Sequence, residues 1–199
     1  MDGSYLEAVR QGVVVYDGAT GTNLQARDLS ADDFGGPAYE GCNEILVDTR
    51  PDVVADLHRS FFDVGVDVVE TDTFGAFSVV LAEYGIADRA HELNVKATEI
   101  AREVAHGYAT PDRPRWVAGS MGPGTKLPSL GQISFADLRD AYETQARGLL
   151  EGGVDLHGGA VRPGDLVPRR RRAHQRQRVE EVPRGDAGRR LGHVPAHGA

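Results

Sequence analysis

The residues able to do chemistry fall in three short polar clusters: Asp17-Gly18-Ala19-Thr20-Gly21-Thr22, Glu70-Thr71-Asp72-Thr73-Phe74 and Gly119-Ser120-Met121-Gly122-Pro123. Carboxylates and hydroxyls next to glycine turns are groups that hold a small polar ligand. The same residue types are also favoured in plain turns, so a single cluster decides nothing. Three more specific chemistries fail on spacing. A phosphatase of the haloacid-dehalogenase kind needs a second aspartate two residues from the first, and Val15 and Ala19 stand there. The stretch Gly122-Pro123-Gly124-Thr125-Lys126 lacks the Gly-x4-Gly-Lys-Ser/Thr spacing of a phosphate loop. A zinc site needs three or four converging ligands. Cys42 is the sole cysteine, and four of the seven histidines (His157, His174, His193, His197) fall in a biased terminal segment.

Each cluster follows a short apolar run: Val13 to Tyr16, Val66 to Val69 and Trp116 to Ala118. Short, continuous runs of this kind read as strands of a parallel sheet covered on both faces. Three amphipathic helices are expected between and after them. The first carries Val54, Leu57, Phe61 and Val64, with Thr49 and Asp52 spaced as a capping box and Pro51 in the first turn. The second carries Ala90, Leu93, Ala97, Ile100 and Val104. The third carries Phe135, Leu138, Tyr142, Ala146 and Leu149, with Ser134 and Asp137 placed to cap it. Alternating strands and helices give the α/β class, in which ligands sit at the carboxyl ends of the strands. All three polar clusters occupy that position.

The phrase Val64-Gly65-Val66-Asp67-Val68-Val69-Glu70-Thr71 begins again at Gly152-Gly153-Val154-Asp155-Leu156, then breaks at His157-Gly158-Gly159-Ala160. The net charge of −8 conceals a change of character at that point. Residues 157–199 hold ten arginines against four acids, and no Phe, Tyr, Trp, Ile, Met or Lys. With little to bury, this segment is expected to be disordered. Its residues are those of G- and C-rich codons, which points to translation in a shifted frame. A genuine basic arm or a divergent ending are the other readings. For a nucleic-acid arm it lacks aromatic residues to stack on bases. No run approaches the length of a membrane span, no signal peptide precedes residue 12, and one cysteine fits a reducing cytoplasm.

Five ordered stretches, VVVYDGATGTNLQ (13–25), EGCNEILVDTRPDVVADLHRSFFDVGVDVVETDTF (40–74), AHELNVKATEIAREVA (90–105), VAGSMGP (117–123) and FADLRDAYETQARGLLEGGVD (135–155), resemble successive pieces of the homocysteine S-methyltransferase family. The wording is most similar to the N-terminal module of its cobalamin-dependent members, the methionine synthases. The resemblance implies a (β/α)8 barrel, of which residues 1–156 supply about the first three β/α units. It implies a methyltransferase in methionine biosynthesis, with homocysteine as substrate and no membrane or nucleic-acid partner. In the family, zinc held by three cysteine thiolates lowers the pKa of the homocysteine thiol so that it attacks as thiolate. Those cysteines lie in later strands, one of the phrases being Gly-Gly-Cys-Cys-Gly, and none occurs here. Cobalamin and methyltetrahydrofolate belong to other modules. Carried over residue by residue, Asp17 corresponds to the acid that holds the amino group of homocysteine. Gly18, Ala19, Thr20 and Gly21 supply backbone N–H groups for its carboxylate. Glu70, Thr71 and Thr73 line the same pocket, and Gly122 shapes the third loop. No catalytic or metal residue is assigned, Cys42 is expected to be a lone buried or half-buried thiol, and the chain alone is expected to be inactive. A binding-only fragment and a basic-tailed interaction protein are the non-enzyme alternatives.

Overall fold

The structure is a computed structural model and describes residues 5–159; the segment from residue 160 onward, with the features expected of it, lies outside the described residues. A short helix α1 (Tyr5–Gln11) is followed by α2 (Thr20–Gln25) and, after a looped segment, by α3 (Leu46–Thr49) and α4 (Pro51–Val64). Then come β1 (Val68–Glu70), α5 (Ser78–Leu81), α6 (Ala90–Tyr108), β2 (Trp116–Met121), α7 (Phe135–Gly152) and β3 (Leu156–Gly159). The strands form one parallel sheet in the order β1-β2-β3, with Val68 opposite Trp116 and Ala118 opposite Leu156.

Side-chain alternation along the strands fixes what each face meets. Val69 and Val117 pack against Phe62 of α4 and against Ala101, Val104 and Ala105 of α6. Met121, on the same face, packs against Ala141, Tyr142, Ala146 and Leu149 of α7. Both crossover helices therefore lie on one face of the sheet, so the chain is singly wound. The other face carries Val68, Trp116 and Ala118, packed with Tyr5 and Ala8 of α1 and with Val14, Tyr16 and Leu156. Tyr5 meets Trp116 edge-on at 5.8 Å, and its hydroxyl accepts from the Tyr16 hydroxyl at 2.8 Å.

Several expectations need correcting. The run Val13 to Tyr16 makes only one bridge, Tyr16 with Val68, and Val13 is 91% exposed. The Asp67 carboxylate accepts from the Val15 N–H at 3.0 Å, taking the place of a ladder partner. There is no Thr49–Asp52 capping box: Thr49 closes α3 and donates its hydroxyl to the Ile45 carbonyl. The N-cap of α4 is Arg50, which pairs with Asp52 at 2.8 Å, while Pro51 does occupy the first turn. Val64 and Phe135, the last residue of α4 and the first of α7, face solvent and do not join the buried stripes of their helices. The expected cap of α7 is present, with Ser134 Oγ accepting from the Asp137 N–H at 3.0 Å. Gly65 and Gly153 end α4 and α7 at φ 97° and 90°, a conformation that favours glycine. Finally, β3 continues past the apparent break at His157. A backbone ladder needs no particular side chain, and Gly119, Ser120 and Met121 pair with His157, Gly158 and Gly159.

Candidate functional site

The inner face of the sheet, opposite the crossover helices, becomes polar toward the carboxyl ends of the strands. Asp17 follows the Tyr16 bridge, and its own N–H donates to the Val68 carbonyl at 3.0 Å. Both of its carboxylate oxygens accept from the Glu70 N–H, each at 3.0 Å. Asp17 thus completes the end of β1 in place of another strand residue. Burial raises its pKa to about 7, the Glu70 charge adds to this, and the Glu70 N–H opposes it. Burial likewise raises the Tyr16 phenol, reinforced by its bond to Tyr5. A carboxyl group with its pKa near neutrality, beside a second carboxylate on a half-buried face, can hold either a proton or a ligand cation.

Ala19 adopts a left-handed conformation at φ 54° as it starts α2. Gly18 and Ala19 are exposed, Thr20 and Gly21 half-buried, and space is open around Gly18. A strained non-glycine residue beside a carboxylate marks a turn held in place by its surroundings. Glu70 is half-buried and shares the inner face with Ala118 and Ser120; Ser120 Oγ donates to Glu70 Oε2 at 3.2 Å.

Thr71 and Thr73 are placed differently from Asp17 and Glu70. Both are buried, and their hydroxyls, 2.6 Å apart, bond to the Ser120 N–H and carbonyl at 3.0 and 2.8 Å. They fasten β1 to β2. Gly122 is buried where a Cβ would come within 2.6 Å of the Phe74 carbonyl, and its own carbonyl accepts from the Tyr142 hydroxyl at 2.6 Å. Its smallness lets the third loop close over Phe74.

Two residues emerge that sequence reading did not single out. Ser120 lies on a strand and not in a loop; extending the Trp116–Ala118 alternation by one step would have put it on the inner face. Asp72, two residues past β1, is buried with Oδ2 unpartnered, and burial together with the Glu44 charge pushes its pKa well up. Glu44 itself accepts from the Gly75 N–H at 2.8 Å and lies 3.7 Å from Cys42 Sγ. Cys42 is fully buried, and its thiol is pushed up to about 12 by burial first and by Glu44 second. Such a thiol is a poor metal ligand, since it must ionise to bind. Among the described residues no group of three His, Cys, Asp or Glu could hold a metal ion.

A singly wound parallel sheet with its polar groups at the strand carboxyl ends is an α/β scaffold that gathers its ligand-holding groups at one end of the sheet. The family model for homocysteine S-methyltransferase matches residues 14–159. The methionine synthases of Mycobacterium tuberculosis and Mycobacterium leprae are 54% and 52% identical to the chain over 154 residues. That is 77% of this chain but 13% of each relative's length. The homocysteine methyltransferase MmuM of Escherichia coli superimposes in its metallated form with a TM-score of 0.62 at 20% identity. Its oxidized form gives 0.61 at 22% identity, and the chain covers 55% of either structure. The chain belongs to the homocysteine S-methyltransferase family.

Proposed function

We propose that the inner face formed by Asp17, Glu70 and Ser120 receives the amino-acid end of homocysteine, within a methyltransferase of methionine biosynthesis. The observation that carries this is the placement of two carboxylates, Asp17 and Glu70, side by side at the carboxyl end of β1 and open to the inner face. In this reading their charge meets the substrate ammonium. The turn from Gly18 to Gly21 offers backbone N–H groups to its carboxylate. Thr71, Thr73 and Gly122 hold the walls from behind.

The three strands and the Tyr16 bridge correspond in this proposal to the opening part of an eight-stranded barrel, the segment running through β3 to Gly159 and so past the boundary at residue 156 expected from sequence. The described residues do not fit the zinc ion of the family, so no step is derived through it. Cobalamin and methyltetrahydrofolate are assigned to other modules of a complete enzyme. The setting proposed is the cytoplasm; among the described residues no helix is long and apolar enough to cross a membrane.

The test is calorimetric titration of homocysteine into the 199-residue chain at pH 8. Binding is expected without methyl transfer, and Asp17→Asn should weaken it roughly tenfold through loss of one charge-assisted contact. A folded chain that shows no heat of binding would overturn the reading.

A further inference from the structure

We infer that Ser120 is a positioning residue of this site, its hydroxyl fixing the Glu70 carboxylate on the inner face beside Asp17. The argument rests on proton bookkeeping among three hydroxyls. The Ser120 N–H donates to Thr71 Oγ1 at 3.0 Å, and Thr73 Oγ1 donates to the Ser120 carbonyl at 2.8 Å. The hydroxyls of Thr71 and Thr73 are 2.6 Å apart. Because the Thr73 proton is already given to Ser120, the bond between the threonines can run only from Thr71 to Thr73. The result is a closed ring, from the Ser120 N–H through Thr71 and Thr73 back to the Ser120 carbonyl, in which every proton has one destination.

That ring, and the pairing of Ser120 with Gly158 of β3, hold the Ser120 backbone from both sides. The ring uses the backbone groups of Ser120 and both threonine hydroxyls, and leaves the Ser120 hydroxyl directed at Glu70 Oε2, 3.2 Å away. Glu70 needs such a hold. Its side chain has three rotatable bonds on a half-buried face, and its backbone N–H is already given to Asp17. The titratable groups facing it are Asp17 and Tyr16, from the segment before α2. A buried hydroxyl donor keeps the carboxylate in one place and takes up part of its charge. Thr71 and Thr73, although they touch no open surface, thereby act on the site through Ser120.

The inference deepens the homocysteine reading and rests on it for the ligand, so the experiment has a ligand-free arm. Asp17 is titrated by carbon-detected NMR of its carboxyl group in the 199-residue chain, in wild type, Ser120→Ala, Ser120→Thr, Glu70→Gln and the Glu70→Gln/Ser120→Ala double variant. In Ser120→Ala the Asp17 midpoint is expected to rise by roughly half a unit, as the Glu70 charge loses its donor. Ser120→Thr restores it, and in the Glu70→Gln background Ser120→Ala changes nothing. The second arm measures binding of homocysteine and of 4-mercaptobutanoate, which lacks the amino group. Ser120→Ala should weaken homocysteine about fivefold, the worth of one hydrogen bond, and leave the deaminated acid unchanged. An Asp17 midpoint that ignores Ser120→Ala, or moves equally without Glu70, overturns the role of Ser120 whatever the chain binds. The expected shift in a chain that binds no homocysteine upholds Ser120 and removes the ligand reading instead.

Discussion

Two acids next to β1 meet opposite fates. On the inner side, Asp17 has both oxygens on the Glu70 N–H and stays half-exposed. Just past the strand, Asp72 is buried beside Glu44 with one oxygen unpartnered. His58 of α4 is also buried among the helices, with both ring nitrogens unpartnered. Asn94 and Gln145 give their amide N–H groups to the carbonyls of Ala76 and Thr73, at 2.5 and 2.6 Å, but leave their oxygens unpartnered. The lesson is that polarity alone does not mark a site. Asp17 and Glu70 are satisfied by their neighbours and stay half-exposed, whereas Asp72, His58, Asn94 and Gln145 are sealed in with unpartnered atoms that cost stability.

The contrast can be broken at several points. The largest effect is expected from His58, whose buried imidazole has its pKa lowered to about 4 by desolvation. Its folded value lies below the unfolded one, so the stability tied to its neutral form is full above pH ~6.5 and lost as pH falls toward 4. The loss amounts to about 3 kcal/mol. Urea midpoints measured at pH 7.5 and 4.5 should show it in wild type and show about that much less acid sensitivity in His58→Leu. Equal acid sensitivity in the two proteins would mean that the imidazole reaches a partner or solvent.

Gly122→Ala comes next. It forces a methyl group onto the Phe74 carbonyl and ring, and overpacking of this kind costs about 2 kcal/mol. The check is the urea midpoint at neutral pH; an unchanged value would show that the third loop closes without close contact at Phe74.

The most direct comparison makes the same change at both acids. Burial raises the Asp72 carboxyl, so its contribution to stability is full below pH ~4 and is lost as pH rises through the folded pKa. Asp72→Asn should therefore gain over wild type with rising pH, by about 1–2 kcal/mol at pH 7.5, with homocysteine binding unchanged. Asp17→Asn removes a carboxyl that burial also raises, to about 7, so it too should gain over wild type with rising pH, but there homocysteine binding falls. A binding loss at Asp72 or a stability collapse at Asp17 would erase the distinction between site and scaffold.

Much of this was legible in the chain. Ser134 and Asp137 announced the start of α7, Gly153 its end, and the spacing from Ala90 to Val104 the helix α6. Strand length was less legible. Val13 to Tyr16 has strand composition but makes only one bridge to β1, whereas Gly119 to Met121 has turn composition but pairs along β3. Local composition cannot tell these apart, since pairing depends on neighbours distant in sequence.

Sequence by itself determined the α/β order, the three helices and the position of Asp17 and Glu70 at strand ends, because these follow from periodicity and from turn chemistry next to it. Only the tertiary structure decided which polar residues face inward. Thr71, Asp72, Thr73 and Ser120 are close in type and lie near strand ends, yet burial and pairing across β1 and β2 make two of them a clamp, one an orphaned acid and one a neighbour of the Glu70 carboxylate. The physical reason is that a side chain's role here depends on which partner satisfies it, and those partners lie about fifty residues away along the chain, as in the bond from Ser120 to Glu70.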